Sequence, residues 1–178
     1  MAGSKSGPCP EIAPETASRR LEHTLSAFLA ARLLPGERLC VGLSGGRDSV
    51  VLLHALDRLR ARGRVGSLAA IHVDHGLRTG STAEAPVVRG NAERSGAAFR
   101  AERVHIVDGP NLEARARDAR YSMLPPDVLT GHTADDQAET VLVNLLRGGA
   151  TSGLAGMRPG HRHPLLSLRR RETIALCA

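Results

Sequence analysis

The stretch Leu43-Ser44-Gly45-Gly46-Arg47-Asp48-Ser49 decides how this chain folds. Ahead of it runs the apolar Leu39-Cys40-Val41-Gly42, and behind it Val50-Val51-Leu52-Leu53-His54-Ala55-Leu56. That order predicts a buried strand, a tight Gly-rich turn and a helix. Two adjacent glycines let the backbone turn sharply and approach a ligand closely. Hydroxyls on Ser44 and Ser49, with the free amides of the helix start, are then available to phosphate oxygens. The pattern is a phosphate cradle.

Several cradles and one rival chemistry use similar turns. A Walker A loop requires Lys before its Ser or Thr, but the one lysine of the chain, Lys5, lies far upstream. The dinucleotide fingerprint G-x-G-x-x-G is not met by the spacing here. Gly42-Leu43-Ser44-Gly45-Gly46 does fit the G-x-S-x-G nucleophile elbow of α/β-hydrolases. A plain strand-to-helix turn without chemistry also stays open on the loop alone. The loop is similar to the Ser-Gly-Gly-x-Asp-Ser loop of the N-type ATP pyrophosphatases, which split ATP between its α and β phosphates. Ser44, Gly45, Gly46, Asp48 and Ser49 match it, with Arg47 at the variable place.

Composition narrows the classes. A chain of 178 residues, 42% hydrophobic, suits one soluble folded domain. Aromatics make up only 2%, so the core must be built from Leu, Val, Ala and Ile, and base stacking is a poor main mode of RNA binding. A net charge of +6, nearly all of it arginine, suits an anionic partner such as RNA or nucleotide phosphate, or simply a solvated surface. Cys9, Cys40 and Cys177 are isolated, which signals neither a disulfide scaffold nor a zinc site and fits a reducing cytosol. No apolar run approaches the ~20 residues of a membrane span, and no signal-peptide core is seen, so a cytoplasmic location is expected.

Residues 1 to 15 are small, polar and Pro-rich, and disorder is expected there; the folded domain is expected over 16 to 178. From Thr16, Leu21, Leu25, Phe28, Leu29, Ala31 and Leu33 follow helical spacing up to Pro35-Gly36. Leu68 to Val73 predicts a second strand, 82 to 95 a helix, and Ala97 to Ile106 a third strand. Asn111 to Met123 predicts a helix with Leu112, Ala116, Ala119 and Met123 as its buried stripe. Asp127 to Thr130 predicts a short strand and Thr133 to Leu146 a helix. Alternating strands and helices give an α/β fold, a mostly parallel sheet with helices on both faces. Ligands then collect at the carboxyl ends of the strands.

Two further polar clusters fall at such ends. In His72-Val73-Asp74-His75-Gly76-Leu77-Arg78, strand alternation puts His72 and Asp74 on one side, with His75 and Arg78 beyond. A histidine at a strand end is usually a hydrogen-bonded core residue; alternatively Asp74, His75 and Arg78 hold adenosine or pyrophosphate. In Gly131-His132-Thr133-Ala134-Asp135-Asp136-Gln137-Ala138-Glu139-Thr140, three carboxylates in five residues repel one another, so a cation or a basic neighbour is expected. The helix dipole relieves part of the repulsion. Asp48 and Asp136 are candidates to hold an ATP-bound magnesium, which prefers hard oxygen ligands. Arg115 is either solvated or placed to stabilise charge on a phosphate in transit.

Together these pieces resemble the N-terminal part of the tRNA(Ile)-lysidine synthetase family. The resemblance rests on Leu43 to Ser49, His72 to Arg78, Asn111-Leu112-Glu113 with Ala114-Arg115 and Arg120-Tyr121, Gly131 to Thr140, Leu145-Leu146-Arg147-Gly148 and Gly153-Leu154-Ala155-Gly156-Met157. It implies a Rossmann-like PP-loop fold, ATP and Mg²⁺ as cofactors, and tRNA(Ile) and free lysine as substrates. It also implies a two-step ligation: the wobble cytidine is adenylated with loss of pyrophosphate, and lysine then displaces AMP to give lysidine. Ser44 to Ser49 with Asp74, His75, Arg78 and His132 would bind the nucleotide, Asp48 and Asp136 the metal, and Arg115 the α-phosphate. His132 or a carboxylate would assist lysine.

The Tyr121 to Gly131 interval is shorter than is usual for the family. The chain ends at Ala178, before the family's later Asn- and Arg-containing catalytic segment and its tRNA-binding domains; Arg169-Arg170-Arg171-Glu172 would open the next helix. A truncated module that binds ATP or RNA is therefore one alternative. A tRNA thiolase is another, though the cysteine spacing does not favour it.

Overall fold

The computed structural model describes residues 12–32, 37–74, 84–104, 121–146 and 162–177, together with residues 112, 115, 119, 148, 156 and 157. Helix α1 (Pro14–Arg32) leads into β1 (Arg38–Gly42), α2 (Arg47–Ala61) and β2 (Ser67–Asp74). Then follow α3 (Glu84–Arg94), β3 (Ala98–Arg103), β4 (Leu129–Thr130), α4 (Ala134–Leu146) and α5 (Arg170–Ala175). Pro14 starts α1 two residues before the expected Thr16, because its fixed φ and missing amide suit the first helical position.

All four strands are parallel, in the order β3-β2-β1-β4. Val41 is paired on one side with Ala70 and on the other with Leu129. The sheet therefore grows in one direction from β1 to β3 and in the other to β4. That reversal makes the carboxyl ends of β1 and β4 the topological switch point, where open α/β sheets leave a crevice.

Strand alternation divides the core. Leu39, Val41, Leu68, Ala70 and Leu129 join Leu21, Leu25 and Leu29 of α1, the leucines of α2, and Val88 and Ala92 of α3. A smaller cluster on the opposite face holds Ile71, Val73 and Val128, with Cys40, Val104 and Leu124 packed against it. The larger cluster takes up a segment for which the sequence predicts no element. Leu165 and Leu168 are fully buried in it, and Arg162 O accepts the amide of Thr130 at 2.8 Å.

Two expectations need adjustment. Strand β4 is two residues long because Pro125 to Asp127 form a turn, in which the Val128 amide donates to Pro125 O. The described residues Leu112, Arg115, Ala119, Tyr121 and Ser122 are helical, but Met123 lies in the turn that follows and is exposed rather than buried. Of the residues 1–15 expected to be disordered, 1–11 lie outside the described residues, and Pro14 and Glu15 belong to α1.

Leu52 is fully enclosed, so Leu52→Ala should lower the urea-unfolding free energy by about 2–5 kcal/mol. Leu146, 85% exposed, gives the control: Leu146→Ala should stay within about 0.5 kcal/mol of the parent.

Candidate functional site

The turn between β1 and α2 is shaped by its own hydroxyls. Gly45 takes φ 84°, a region open to glycine, and starts the bend. Ser49 Oγ donates to Gly46 O at 2.7 Å, while the Gly46 amide donates to Ser44 Oγ at 3.3 Å. Gly46 is the N-cap of α2 and offers no side chain to the first-turn amides. The Ser49 amide turns back to Gly46 O at 3.1 Å, and the Arg47 and Asp48 amides are left at the positive end of a 15-residue helix. An anion is the natural partner there.

The turn after β4 presses against this one. A Cβ at Gly131 would lie 2.7 Å from both Asp48 C and Ser49 N. Backbone meets backbone, so only glycine fits. Beyond it Thr133 and Asp136 build the start of α4: the amide and the hydroxyl of Thr133 donate to Asp136 Oδ2 at 2.7 and 2.8 Å. One turn later, Gln137 grips the main chain of Met157, accepting from its amide at 2.7 Å and donating to its carbonyl at 3.0 Å. The Gly131–Thr140 phrase is thus joined to Met157.

The basic neighbour expected for the acidic trio is Arg170. Its guanidinium donates to Asp136 Oδ1 at 2.9 Å and Glu139 Oε1 at 3.0 Å, and its amide donates to Asp135 Oδ2 at 2.7 Å. Burial pushes the Asp136 carboxyl up, but the Thr133 and Arg170 hydrogen bonds outweigh it and hold the group below its ordinary value. Bonds to Glu139 and Asp136 hold Arg170 still more firmly charged. Helix α5 carries Arg170 to this place and is itself anchored. Glu172, fully buried, accepts the Arg169 amide at 2.7 Å and pairs with Arg20 of α1 at 2.7 Å. Thr173 donates to Asp48 Oδ1.

At the third strand end, His72 is buried and its Nδ1 lies 2.8 Å from Leu43 O, so it carries a proton there and ties β2 to the loop. It is the hydrogen-bonded core histidine that strand-end position favours. Asp74 is buried, with Arg103 3.8 Å away. Thr130 Oγ1 meets the Nδ1 atoms of both His132 (2.8 Å) and His163 (2.7 Å). One hydroxyl supplies one proton, so at least one of these imidazoles is protonated at Nδ1.

A cavity of about 380 Å³ opens where the three turns converge. Ser44, Gly46, Asp48, Ser49, Asp74, His132 and Asp136 line it, and Leu43, Ile71, Val73, Leu124 and Tyr121 give it an apolar side. A wall that combines polar groups with apolar side chains suits a phosphorylated, base-bearing ligand. Gly45 and Arg47 are exposed and stand off the wall, as does exposed Arg115. His75 and Arg78 lie outside the described residues. Arg170 and Thr173 were not among the expected site residues. The one signal for them is the Arg169-Arg170-Arg171-Glu172 helix start.

Residues 15–178 match the model of the PP-loop domain. The chain belongs to the PP-loop family. It is 44% identical over 167 residues to the tRNA(Ile)-lysidine synthase of Mycolicibacterium paratuberculosis, covering 89% of this chain and 50% of that protein. It is 43% identical over 159 residues to the tRNA(Ile)-lysidine synthase of Alkalilimnicola ehrlichii, covering 85% and 34%. The chain thus spans half or less of the length of these two relatives. Among solved structures, the U34-tRNA thiolase NcsA of Methanococcus maripaludis superposes with a TM-score of 0.73 at 19% identity, covering 99% of this chain and 72% of that one. The NH3-dependent NAD synthetase of Campylobacter jejuni gives 0.59 at 16%, covering 93% and 72%. At those identities the likeness is one of PP-loop fold.

Two outcomes follow from the geometry. Gly131→Ala should force the two turns apart, lowering stability by about 1–3 kcal/mol in urea melts and weakening ATP binding by calorimetry. Because the Asp136 pKa is depressed on folding, its contribution is present above the unfolded value and lost as pH falls through the folded one. The stability gap between the parent and Asp136→Asn should be full at neutral pH and close below about pH 4.

Proposed function

We propose that this PP-loop chain carries the ATP-dependent chemistry of a tRNA(Ile)-lysidine synthase. The observation that carries this reading is the convergence of the cradle, Asp48, Asp136 and apolar side chains on one cavity, in a chain whose likeness to the synthases spans most of its length. ATP lies with its phosphates on Ser44, Ser49 and the first amides of α2, and its base toward Leu43, Ile71 and Leu124. The 2-carbonyl oxygen of the wobble cytidine attacks the α-phosphate, and pyrophosphate leaves. Free lysine then displaces AMP through its ε-amine.

The residues present fit a magnesium ion. Such a site uses one or two carboxylates together with substrate phosphates. Asp48 lines the cavity, and its Oδ2 has no hydrogen bond among the described residues, since Thr173 takes Oδ1. Asp136 is nearby but shared with Thr133 and Arg170. When bound, the ion neutralises phosphate charge. The cradle fixes the phosphate chain in line for attack, which is an effect of orientation. Arg115 is assigned to the α-phosphate. The lysine ammonium must lose a proton before attack, and His132, which lines the cavity, is assigned to assist. Partners are tRNA(Ile) and lysine, and the setting is the cytoplasm. Among the described residues no helix is long and apolar enough to cross a membrane.

Pyrophosphate exchange tests this directly. The chain should exchange labelled pyrophosphate into ATP only when unmodified tRNA(Ile) is added, and without lysine, because adenylation precedes lysine attack. Asp48→Ala should cut the rate by at least ~100-fold with the fold intact by circular dichroism. Exchange that ignores tRNA, or survives in Asp48→Ala, would refute the assignment. ATP binding with no exchange under any condition would point instead to a binding module.

A further inference from the structure

Helix α5 reaches both carboxylates assigned to the nucleotide. Arg170 and Thr173 stand three residues apart, on one side of the helix. Arg170 meets Asp136 Oδ1 at 2.9 Å, and Thr173 meets Asp48 Oδ1 across 125 residues of chain. Asp48 and Asp136 start different helices, α2 and α4, and α5 is the element that touches both carboxylates.

Thr173 is fully buried. Its hydroxyl also lies 2.8 Å from Arg170 O, within its own helix. A hydroxyl has a single proton, and an ionised carboxylate is the stronger acceptor, so the proton goes to Asp48. Asp48 is only half-buried and has no other hydrogen-bonding side-chain partner among the described residues. Without Thr173 its carboxylate would be free to rotate away from the cavity.

We propose that Thr173 is a positioning residue for Asp48: it occupies Oδ1 so that Oδ2 is presented to the cation that accompanies ATP. This rests on the ATP reading above. Its own content is that a hydroxyl on α5, remote in sequence from the PP-loop, sets the strength of the cation site. Helix α5 is also held by the buried Glu172–Arg20 pair and by the bonds of Arg170 to Asp135 and Asp136, contacts that do not use the Thr173 hydroxyl.

ATP binding by calorimetry over a series of magnesium concentrations, and again in EDTA, tests the proposal in this chain. Thr173→Val keeps the side-chain shape and removes the donor, and Thr173→Ser keeps the donor. Thr173→Val should raise the magnesium concentration giving half-maximal tightening of ATP binding by ~10-fold, the usual scale for a group behind a metal ligand. Its ATP affinity in EDTA should match the parent, and Thr173→Ser should restore the parent midpoint. If Thr173→Val fails to fold, Thr173→Ala takes its place. An unchanged magnesium midpoint overturns the proposal, as does equal weakening with and without magnesium. A parent chain that binds no ATP would overturn the underlying ATP reading instead.

Discussion

Where the chain leaves β4 it passes the first turn of α2 so closely that no Cβ can be placed on Gly131. That contact fixes the distance between two strand–turn–helix units, β1 with α2 and β4 with α4. Both turns sit at the carboxyl ends of adjacent parallel strands, so their helix starts share one floor. The cradle of the first and the acidic start of the second become walls of a single cavity because the backbones touch. A side chain there would separate them, and neither half alone carries both Asp48 and Asp136.

The last described helix completes this arrangement from outside. Three carboxylates near one another at a helix start need compensating charge, which the Arg170 guanidinium supplies to Asp136 and Glu139, while its main-chain amide gives Asp135 a hydrogen bond. The same short helix carries Thr173 to Asp48. It is held by Glu172, whose burial requires the Arg20 partner it has. The rim therefore depends on contacts among α1, α2, α4 and α5, which lie far apart in the chain.

Much of this was legible in the residues. The Leu39–Leu56 order of apolar run, double glycine and helix-period leucines predicts β1, the turn and α2, because each is a local consequence of spacing. The parallel sheet follows from alternation of strands and helices. The repulsion within Asp135, Asp136 and Glu139 also predicts a basic neighbour without saying which. What could not be read is what depends on packing between distant segments. Nothing local marks Arg170 rather than Arg169 or Arg171, nor shows that Thr173 lies against Asp48. The absence of a predicted element around Leu165 and Leu168 has the same origin: they pack in turns without helical or strand period. Met123 was expected in a buried stripe, but the turn before Pro125 ends the helix first.

The account turns on the cavity between β1 and β4 being an ATP site. The most direct measurement is a crystal structure of the chain with a non-hydrolysable ATP analogue and magnesium. The account predicts phosphates bonded to Ser44, Ser49 and the first amides of α2, the cation on Asp48, and the base against Leu43, Ile71 and Leu124. A nucleotide whose phosphates lie away from the Ser44–Ser49 turn, or a base outside that apolar slot, would contradict it.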